Sequence, residues 1–414
     1  MTKRPQLLPP APRPRQAKKA LEGVRVVDFT RLLAGPYATL LLADLGADVI
    51  KIEKPGTGDD GRGLKPPDLS GESSLYLWAN RNKRSIALDL QSPVGCEVAQ
   101  ELAATADVVV ENFSAGVMDR LGLSYETLSG RNPRLIYCAV SAFGRTGEFA
   151  SRPGYDPVAQ AESGFMSLNG FPDQEPLRTG SSIIDISTGM MASNAILAAI
   201  VARERHGLGQ YVETALFDTA IALTGQYGMN YLVTGEDQVR FGNGSKTAEP
   251  VGVFDCADGP VYLACANDRN WQRLALEVLG EPELAADPDY ATNATRMANA
   301  ATLKARLRKA FGAVPREVAL EQAQRWGVPL GLVRTIEQAF TCREMAARQI
   351  VSAIPHPTAG EVPNIAAPLR LAGTPLADPV AAPLLGQHTS AVLREVLGYD
   401  EVRVAELRSA GAFG

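Results

Sequence analysis

VRVVDFTRLLAGPYATLLLADLGADVIKIEKPG, residues 24–56, opens on a short β-branched run, VRVVDFT (24–30). Apolar residues then recur at helical spacing in AGPYATLLLADLG (34–46), and a second β-rich run, ADVIKIEKPG (47–56), closes the stretch. Strand, helix, strand is the assignment those periods require. The order returns downstream, where EVAQELAATA (97–106) precedes DVVVENF (107–113) and PRLIYCAVSAF (133–143) supplies a further strand. Strands so uniformly apolar are buried on both faces, which predicts a parallel sheet flanked by helices, a Rossmann-like α/β domain.

Further along, a long helix is expected to begin near residue 187, and MMASNAILAAIVARERHGLG (190–209) ends it with basic side chains and glycines. QYVETALFDTAIAL (210–223) reads as a strand and another helix. From 225 to 250 the text turns to Gly, Asn, Thr and Pro, the composition of a linker. VGVFDCADGPVYLACA (251–266) reads as a hairpin turning at Asp258-Gly259, and ATLKARLRKAFGA (301–313) as a helix of the same second unit. IPHPTAGEVPNIAAPLRLAGTPLADPVAAP (354–383) is Pro- and Ala-rich and reads as a second long connection, before a last helix, SAVLREVLGY (390–399).

A chain of 414 residues exceeds one ordinary core and implies two domains, or one with a substantial insertion. Its 41 basic and 46 acidic residues are spread along the chain to a net charge of -5, which offers no cationic field for nucleic acid. The five cysteines are far apart, odd in number and without a CxxC pair, as expected of reduced cytosolic thiols. None of the three histidines has another histidine or a cysteine at ligand spacing, so no metal site is expected. Residues 1–20 carry five prolines and six basic residues and read as a disordered tail. The competing reading, a mitochondrial presequence, is opposed by those prolines and by the absence of serine. No transmembrane stretch is expected.

Several motifs carry chemistry. Gly56 to Gly61 spell GxGxxG after a strand, but no helix follows to meet a pyrophosphate, and Asp59 and Asp60 lie inside the loop. In NRNKRSIALDL (80–90), Arg81, Lys83 and Arg84 form either a solvated charged face or a local anion site. In ENFSAGVMDRLGLSYETL (111–128), Asn112 stands at the carboxyl end of a strand with Arg120 two helical turns on. That is where ligands sit in open α/β sheets, the plainer reading being a helix cap and a surface arginine. Asp185, in TGSSIIDISTGM (179–190), is either the cap of the long helix or a carboxylate kept ionised by the helix amides and suited to nucleophilic attack.

Taken together these segments resemble the class III CoA-transferases, a group that includes formyl-CoA transferase, carnitine CoA-transferase and succinyl-CoA-dependent transferases, with α-methylacyl-CoA racemase as a relative. The resemblance runs from about residue 21 to LGQHTSAVLREVLGY and rests on LEGVRVVDFTRLLAGPYATLLLADLGADVIKIEKPGTGD, NRNKRSIALDL, ADVVVENFSAGVMDRLGL, NPRLIYCAVSAFG, GYDPVAQAESG and TGSSIIDISTGM. It implies that Asp185 is the nucleophile and that CoA is held near Leu32, Leu33 and Ala34, and by Lys54, Leu88, Leu90, Asn112 and Arg120. Tyr155 and Asp156 take the pocket-lining GYD position, and FGNGSKTAEP, with Gly242, Asn243 and Gly244, takes that of the lid. Where the racemases carry a catalytic histidine this chain has Tyr155, which disfavours racemisation.

The implied architecture is a large Rossmann-like domain built from both chain ends, a smaller α+β domain, and ring-shaped subunits interlocked in a homodimer. The chain then divides into the tail (1–20), the large domain (21–224), a linker (225–250), the small domain (251–340), a linker (341–383) and a return to the large domain (384–414). The implied substrates are an acyl-CoA and a free carboxylic acid, with CoA as substrate, no tightly bound cofactor and no membrane partner. Arg145, Arg178 and Lys246 lie in or beside the motif loops and are candidates for a second carboxylate, and the amides of Gly180 to Ser182 for an oxyanion. The rival functions are an acyl-CoA racemase, a nicotinamide-dependent oxidoreductase resting on the 56–61 loop, and a non-catalytic CoA-binding scaffold.

Overall fold

Six strands lie side by side in the order β5-β2-β1-β6-β7-β8, every neighbouring pair parallel. They are β1 (Arg25–Asp28), β2 (Asp48–Glu53), β5 (Lys83–Ala87), β6 (Val108–Glu111), β7 (Ile136–Ser141) and β8 (Tyr211–Ala215), while the short strands β3 (Asp68–Leu69) and β4 (Glu72–Ser73) pair apart from them. The structure, a computed structural model, describes residues 7, 10 and 17–413. Of the expected tail, 1–20, the remainder lies outside the described residues.

Consecutive strand residues point to opposite faces, and both faces are covered. Val27, Ile50, Ile86 and Val109 pack with Leu102, Leu393 and Leu407 of helices Pro93–Ala104, Thr389–Leu397 and Glu401–Ser409. Their neighbours Val26, Val49 and Val108 pack with Leu42, Ile196 and Ala220 of helices Ala34–Asp44, Ile183–His206 and Leu216–Leu223. Each such aliphatic side chain contributes roughly 1.5–3 kcal/mol of burial, which is why apolar residues occupy both faces of these strands. Both ends of the chain serve one core, since β1 and the C-terminal helices meet in it.

From β1 the chain adds β2 and β5 on one side and then crosses to β6, β7 and β8 on the other. The carboxyl ends of β1 and β6 therefore border the crevice where the winding reverses, the usual ligand position in open α/β sheets.

Two compact units result, one comprising residues up to Phe165, Arg178–Met229 and Arg343 onward, the other Met166–Leu177 and Asn230–Cys342. The second has its own sheet of β9 (Val251–Cys256), β10 (Gly259–Ala264) and β11 (Leu330–Leu332), over a core with Phe254, Leu263, Trp271, Leu307 and Phe311. Its hairpin pairs Cys256 with Gly259, so Ala257 and Asp258 form the turn.

Four expectations change. The stretch 225–250 starts with a helix, Gly225–Thr234, none of whose residues is buried, so no apolar face announced it. The stretch 341–383 contains helix Arg343–Arg348 and a hairpin, β12 (Val351–His356) with β13 (Gly360–Ile365). Pro355 and Pro363 sit at outward positions of this two-stranded pair, where both strands are edges and a missing donor costs little. A further helix, Glu401–Ser409, follows the one at 389–397, capped by Asp400. The long helix begins at Ile183, earlier than 187, and is long and apolar enough to cross a membrane. Ile184, Ala192, Ile196 and Ala199 pack it against the sheet, which accounts for its apolar length.

Candidate active site

The crevice at the switch point holds two adjoining cavities, both within the first unit. The larger, about 610 Å³, is lined by Leu32, Leu33, Ala34, Asn112, Tyr155, Ser182 and Asp185. The smaller, about 240 Å³, is lined by Lys54, Leu88, Leu90, Gly58 and Asp59. Arg31, Asp60 and Phe113 belong to both and form the seam. Residues scattered over 150 positions thus converge because the parallel sheet brings the ends of β1, β2, β5, β6 and β7 to one edge.

The 30–34 wall is held from beneath by buried charge. Asp28 accepts from the Thr30 amide at 2.8 Å and the Thr39 hydroxyl at 2.7 Å, and pairs with Lys83 at 3.1 Å. Lys51 donates to the Thr30 carbonyl at 2.7 Å and pairs with Asp59 at 2.8 Å. Asp59 in turn accepts from the amides of Leu32 at 2.9 Å and Gly61 at 2.8 Å. That grip fixes Leu32 at φ 67°, a left-handed conformation a leucine adopts only when its surroundings impose it. Burial by itself raises Asp28, but Lys83, Lys51 and the Thr30 and Thr39 hydroxyls outweigh it and hold the carboxyl down at about 2. Across the switch point, Asn112 accepts from the Arg31 amide at 2.9 Å and donates to the Arg31 carbonyl at 2.8 Å. Asn112 thus joins the ends of β1 and β6.

Asp185 lies in the first turn of helix Ile183–His206, whose cap is Ser182. The expectation that Asp185 caps the helix and is kept ionised by its amides does not hold. Those amides go to Asp156, buried at the start of helix Asp156–Glu162, whose Oδ2 accepts from Ile184 at 2.7 Å and Asp185 at 3.1 Å. Its Oδ1 accepts from the buried Gln160 at 2.6 Å, and Gln160 accepts from the Thr179 amide at 2.9 Å. The Asp185 side chain has no hydrogen-bond partner among the described residues. Burial, and then the neighbouring Asp156 carboxylate, push it from its ordinary 3.8 to about 7. Gly189, one turn on, lets the helix sit against the cavity wall, since a Cβ there would stand 2.6 Å from the Ala34 carbonyl oxygen.

Other expected site residues fall elsewhere. Arg120 is exposed at the end of the four-residue helix Val117–Arg120 and lines neither cavity. Gly242, Asn243 and Gly244 form a turn in the second unit, where the Gly242 amide donates to Gly170 and the Gly244 amide to Phe241, both at 3.0 Å. Lys246 is exposed in that unit and Arg178 in the first. Arg145 is committed to Glu111 at 2.7 Å and to the Phe113 carbonyl at 2.6 Å. The cations of 80–90 are neither a solvated face nor an anion site. Arg81 pairs with Asp44, Lys83 with Asp28, and Arg84 with Asp48 and Glu395. After the GxGxxG loop comes a single 3-10 turn, Asp60–Gly63, and no helix of the dinucleotide type. Of the expected pocket-lining pair, Tyr155 lines the cavity whereas Asp156 is buried behind it as the partner of the helix amides, and Arg31 at the seam is a residue the motifs had not singled out. The proximity of Asp156 to the helix start is a long-range contact that spacing does not reveal.

The model of CoA-transferase family III matches residues 21–389. The succinate–glutarate CoA-transferase of Agrobacterium fabrum is 38% identical over 385 residues, covering 92% of this chain and 96% of that one. The succinyl-CoA:glutarate CoA-transferase of Mus musculus is 36% identical over 400 residues, covering 95% of this chain and 90% of its own length. Among solved structures, a CAIB/BAIF family protein from Brucella suis superposes with a TM-score of 0.84 at 38% identity, covering 92% of this chain and all of that one.

Proposed function

The chain belongs to CoA-transferase family III, and we propose from that premise that Asp185 carries CoA from an acyl-CoA donor to a free carboxylic acid. The donor is succinyl-CoA or another short carboxylic acyl-CoA. One observation carries the reading: a carboxylate without a hydrogen-bond partner among the described residues lines a cavity at the switch point, its proton held to about 7.

A carboxylate already bonded to amides is a poor nucleophile, and Asp156 takes the amides Asp185 would otherwise accept from. The ionised Asp185 attacks the donor thioester carbonyl, and the C–S bond breaks to give an acyl-aspartyl anhydride and CoA thiolate. The thiolate attacks the aspartyl carbonyl, releasing the donor acid and leaving an aspartyl-CoA thioester. The acceptor carboxylate attacks that thioester, expelling thiolate, and the second mixed anhydride returns its acyl group to the thiolate and frees Asp185. No net proton or electron is consumed. Each attack builds an oxyanion, for which the amides of Gly180, Ser181 and Ser182, beside Asp185, have no backbone acceptor among the described residues. Losing one such donor typically costs roughly 3 kcal/mol.

Lys54, Leu88, Leu90 and Asn112 serve as CoA contacts, with the adjoining cavities taking the coenzyme arm. The active form is a homodimer, since Met190, Met191, Val201, Ile221 and Leu223 leave an apolar surface on two helices of the first unit. No disulfide joins any of the five cysteines, all of which are among the described residues, in keeping with a reducing, cytoplasmic location.

The test is intact-protein and peptide mass spectrometry after quenched turnover with succinyl-CoA and glutarate. The expected result is an acyl or CoA adduct on the peptide containing Asp185; exchanged thioesters without any adduct there overturn the assignment.

A further inference from the structure

Among the described residues, the cavity that holds Asp185 is lined by three arginines, and they differ in how firmly they are engaged. Arg145 is 12% exposed in its side chain and donates to both oxygens of Glu111, at 2.7 and 2.9 Å. Arg152 lies 4.6 Å above the Phe143 ring and makes two bonds to Glu162, one of 2.8 Å. Arg31 has a single side-chain ion pair, to Asp60 at 3.1 Å, with the two side chains 47% and 57% exposed. A lone pair so open to water holds its partners weakly, so another anion can replace Asp60 at small cost.

The mounting of Arg31 is rigid even though its ion pair is loose. Asn112 grips both its amide and its carbonyl, Asp59 grips the next amide, and the guanidinium stands 4.9 Å over the Phe113 ring. A planar fork fixed at its base and resting on a ring is suited to bidentate recognition of a carboxylate. The reaction also creates a need for it. An acid that reaches Asp185 enters a chamber lined by that carboxylate, with the buried Asp156 carboxylate behind it, and like charges in a partly dry site repel.

We propose that Arg31 is a specificity-determining residue that binds the distal carboxylate of a short dicarboxylic acid or acyl group, with the ligand taking the place of Asp60. This rests on the CoA-transferase reading above. It also accounts for the position of Arg31 at the seam, where a ligand with one end at Asp185 can present its other end to the wall.

The test compares kcat/KM for acids paired by chain length, succinate with butyrate and glutarate with valerate, using one common acyl-CoA donor. Wild type, Arg31→Leu, Arg31→Lys and Asp60→Asn are measured, together with the Kd of free CoA by calorimetry. Arg31→Leu should lower the dicarboxylate-to-monocarboxylate ratio roughly tenfold to a hundredfold, the worth of one charge-assisted bond. Arg31→Lys should restore part of that preference, and Asp60→Asn should raise the ratio above wild type by removing the competing anion. A ratio unchanged in Arg31→Leu overturns the proposal. A Kd for CoA that rises by the same factor as the loss in kcat/KM overturns it too, since that assigns Arg31 to a phosphate of the coenzyme. Wild type that transfers CoA to none of the four acids contradicts the CoA-transferase function itself, whereas active wild type with an indifferent variant sinks only the role of Arg31.

Discussion

Carboxylates serve opposite purposes on the two sides of the cavity wall. Beneath residues 30–34, Asp28 and Asp59 are fully buried, ion-paired and bonded to amides or hydroxyls. At the start of helix Ile183–His206, Asp185 is part-buried, has no hydrogen-bond partner for its side chain among the described residues and neighbours Asp156. The proton follows the partners: Asp28 is held down at about 2, whereas Asp185 rises to about 7. Saturating a carboxylate makes it a strut, and leaving one unsaturated makes it reactive at a cost in stability.

Replacing the reactive member should have the largest effect. Asp185→Asn is expected to cut transfer at least roughly ten-thousandfold, as loss of a nucleophile does. The same change should stabilise the protein at pH 8. An acid whose folded pKa is raised contributes stability below its unfolded pKa and loses it as pH rises through the folded value. For Asp185 the loss runs between 3.8 and about 7, and removing the titration recovers at most about 4 kcal/mol. Thermal melts of both proteins at pH 8 and pH 4 check this, and an advantage as large at pH 4 as at pH 8 would refute it.

Breaking a strut should do the reverse. Lys51→Met strands Asp59 without its buried partner and should cost about 3–5 kcal/mol, read from urea unfolding at pH 7. Gly189→Ala tests how the two sides meet. Its Cβ would press on the Ala34 carbonyl, so we expect about 1–3 kcal/mol of destabilisation. The accompanying fall in kcat should exceed that expected from stability, because misplacing Asp185 by about 1 Å can cost on the order of a hundredfold. A variant with normal kcat would show that the helix and the wall are not mechanically coupled.

The smallest effect is the pH profile. Attack needs the ionised carboxyl, so kcat/KM should fall about tenfold per pH unit below about 7 and level off above it. The struts titrate in the opposite sense to stability lost with rising pH. Asp28 is held at about 2, so what it contributes is present above its ordinary range and lost only as pH falls towards 2. A flat activity profile between pH 5 and 8 would place the proton of Asp185 elsewhere.

Much of the fold was legible because it depends on local periods. The apolar runs of β1, β2, β6 and β7 and the helix of 34–44 follow from residues next to one another in the chain. The hairpin of β12 and β13 was not legible, because its prolines imitate a connection and only the pairing makes their outward positions harmless. In the site, Leu32, Leu33, Ala34, Lys54, Leu88, Leu90, Asn112, Tyr155 and Asp185 line the two cavities, whereas Arg120 does not. Arg81 and Lys83 resembled an anion site because their counter-ions, Asp44 and Asp28, lie 37 and 55 residues away.

By itself the amino-acid order determined the alternation of strands and helices, and with it the edge of the sheet where a ligand can sit, since periodicity and turn residues act over a few neighbours. Only the tertiary structure decided which carboxylate caps the long helix, which cations are struts and which is loosely held, and where the proton of Asp185 resides. Those are properties of burial and of long-range partners, and a charge has neither until the chain is folded around it.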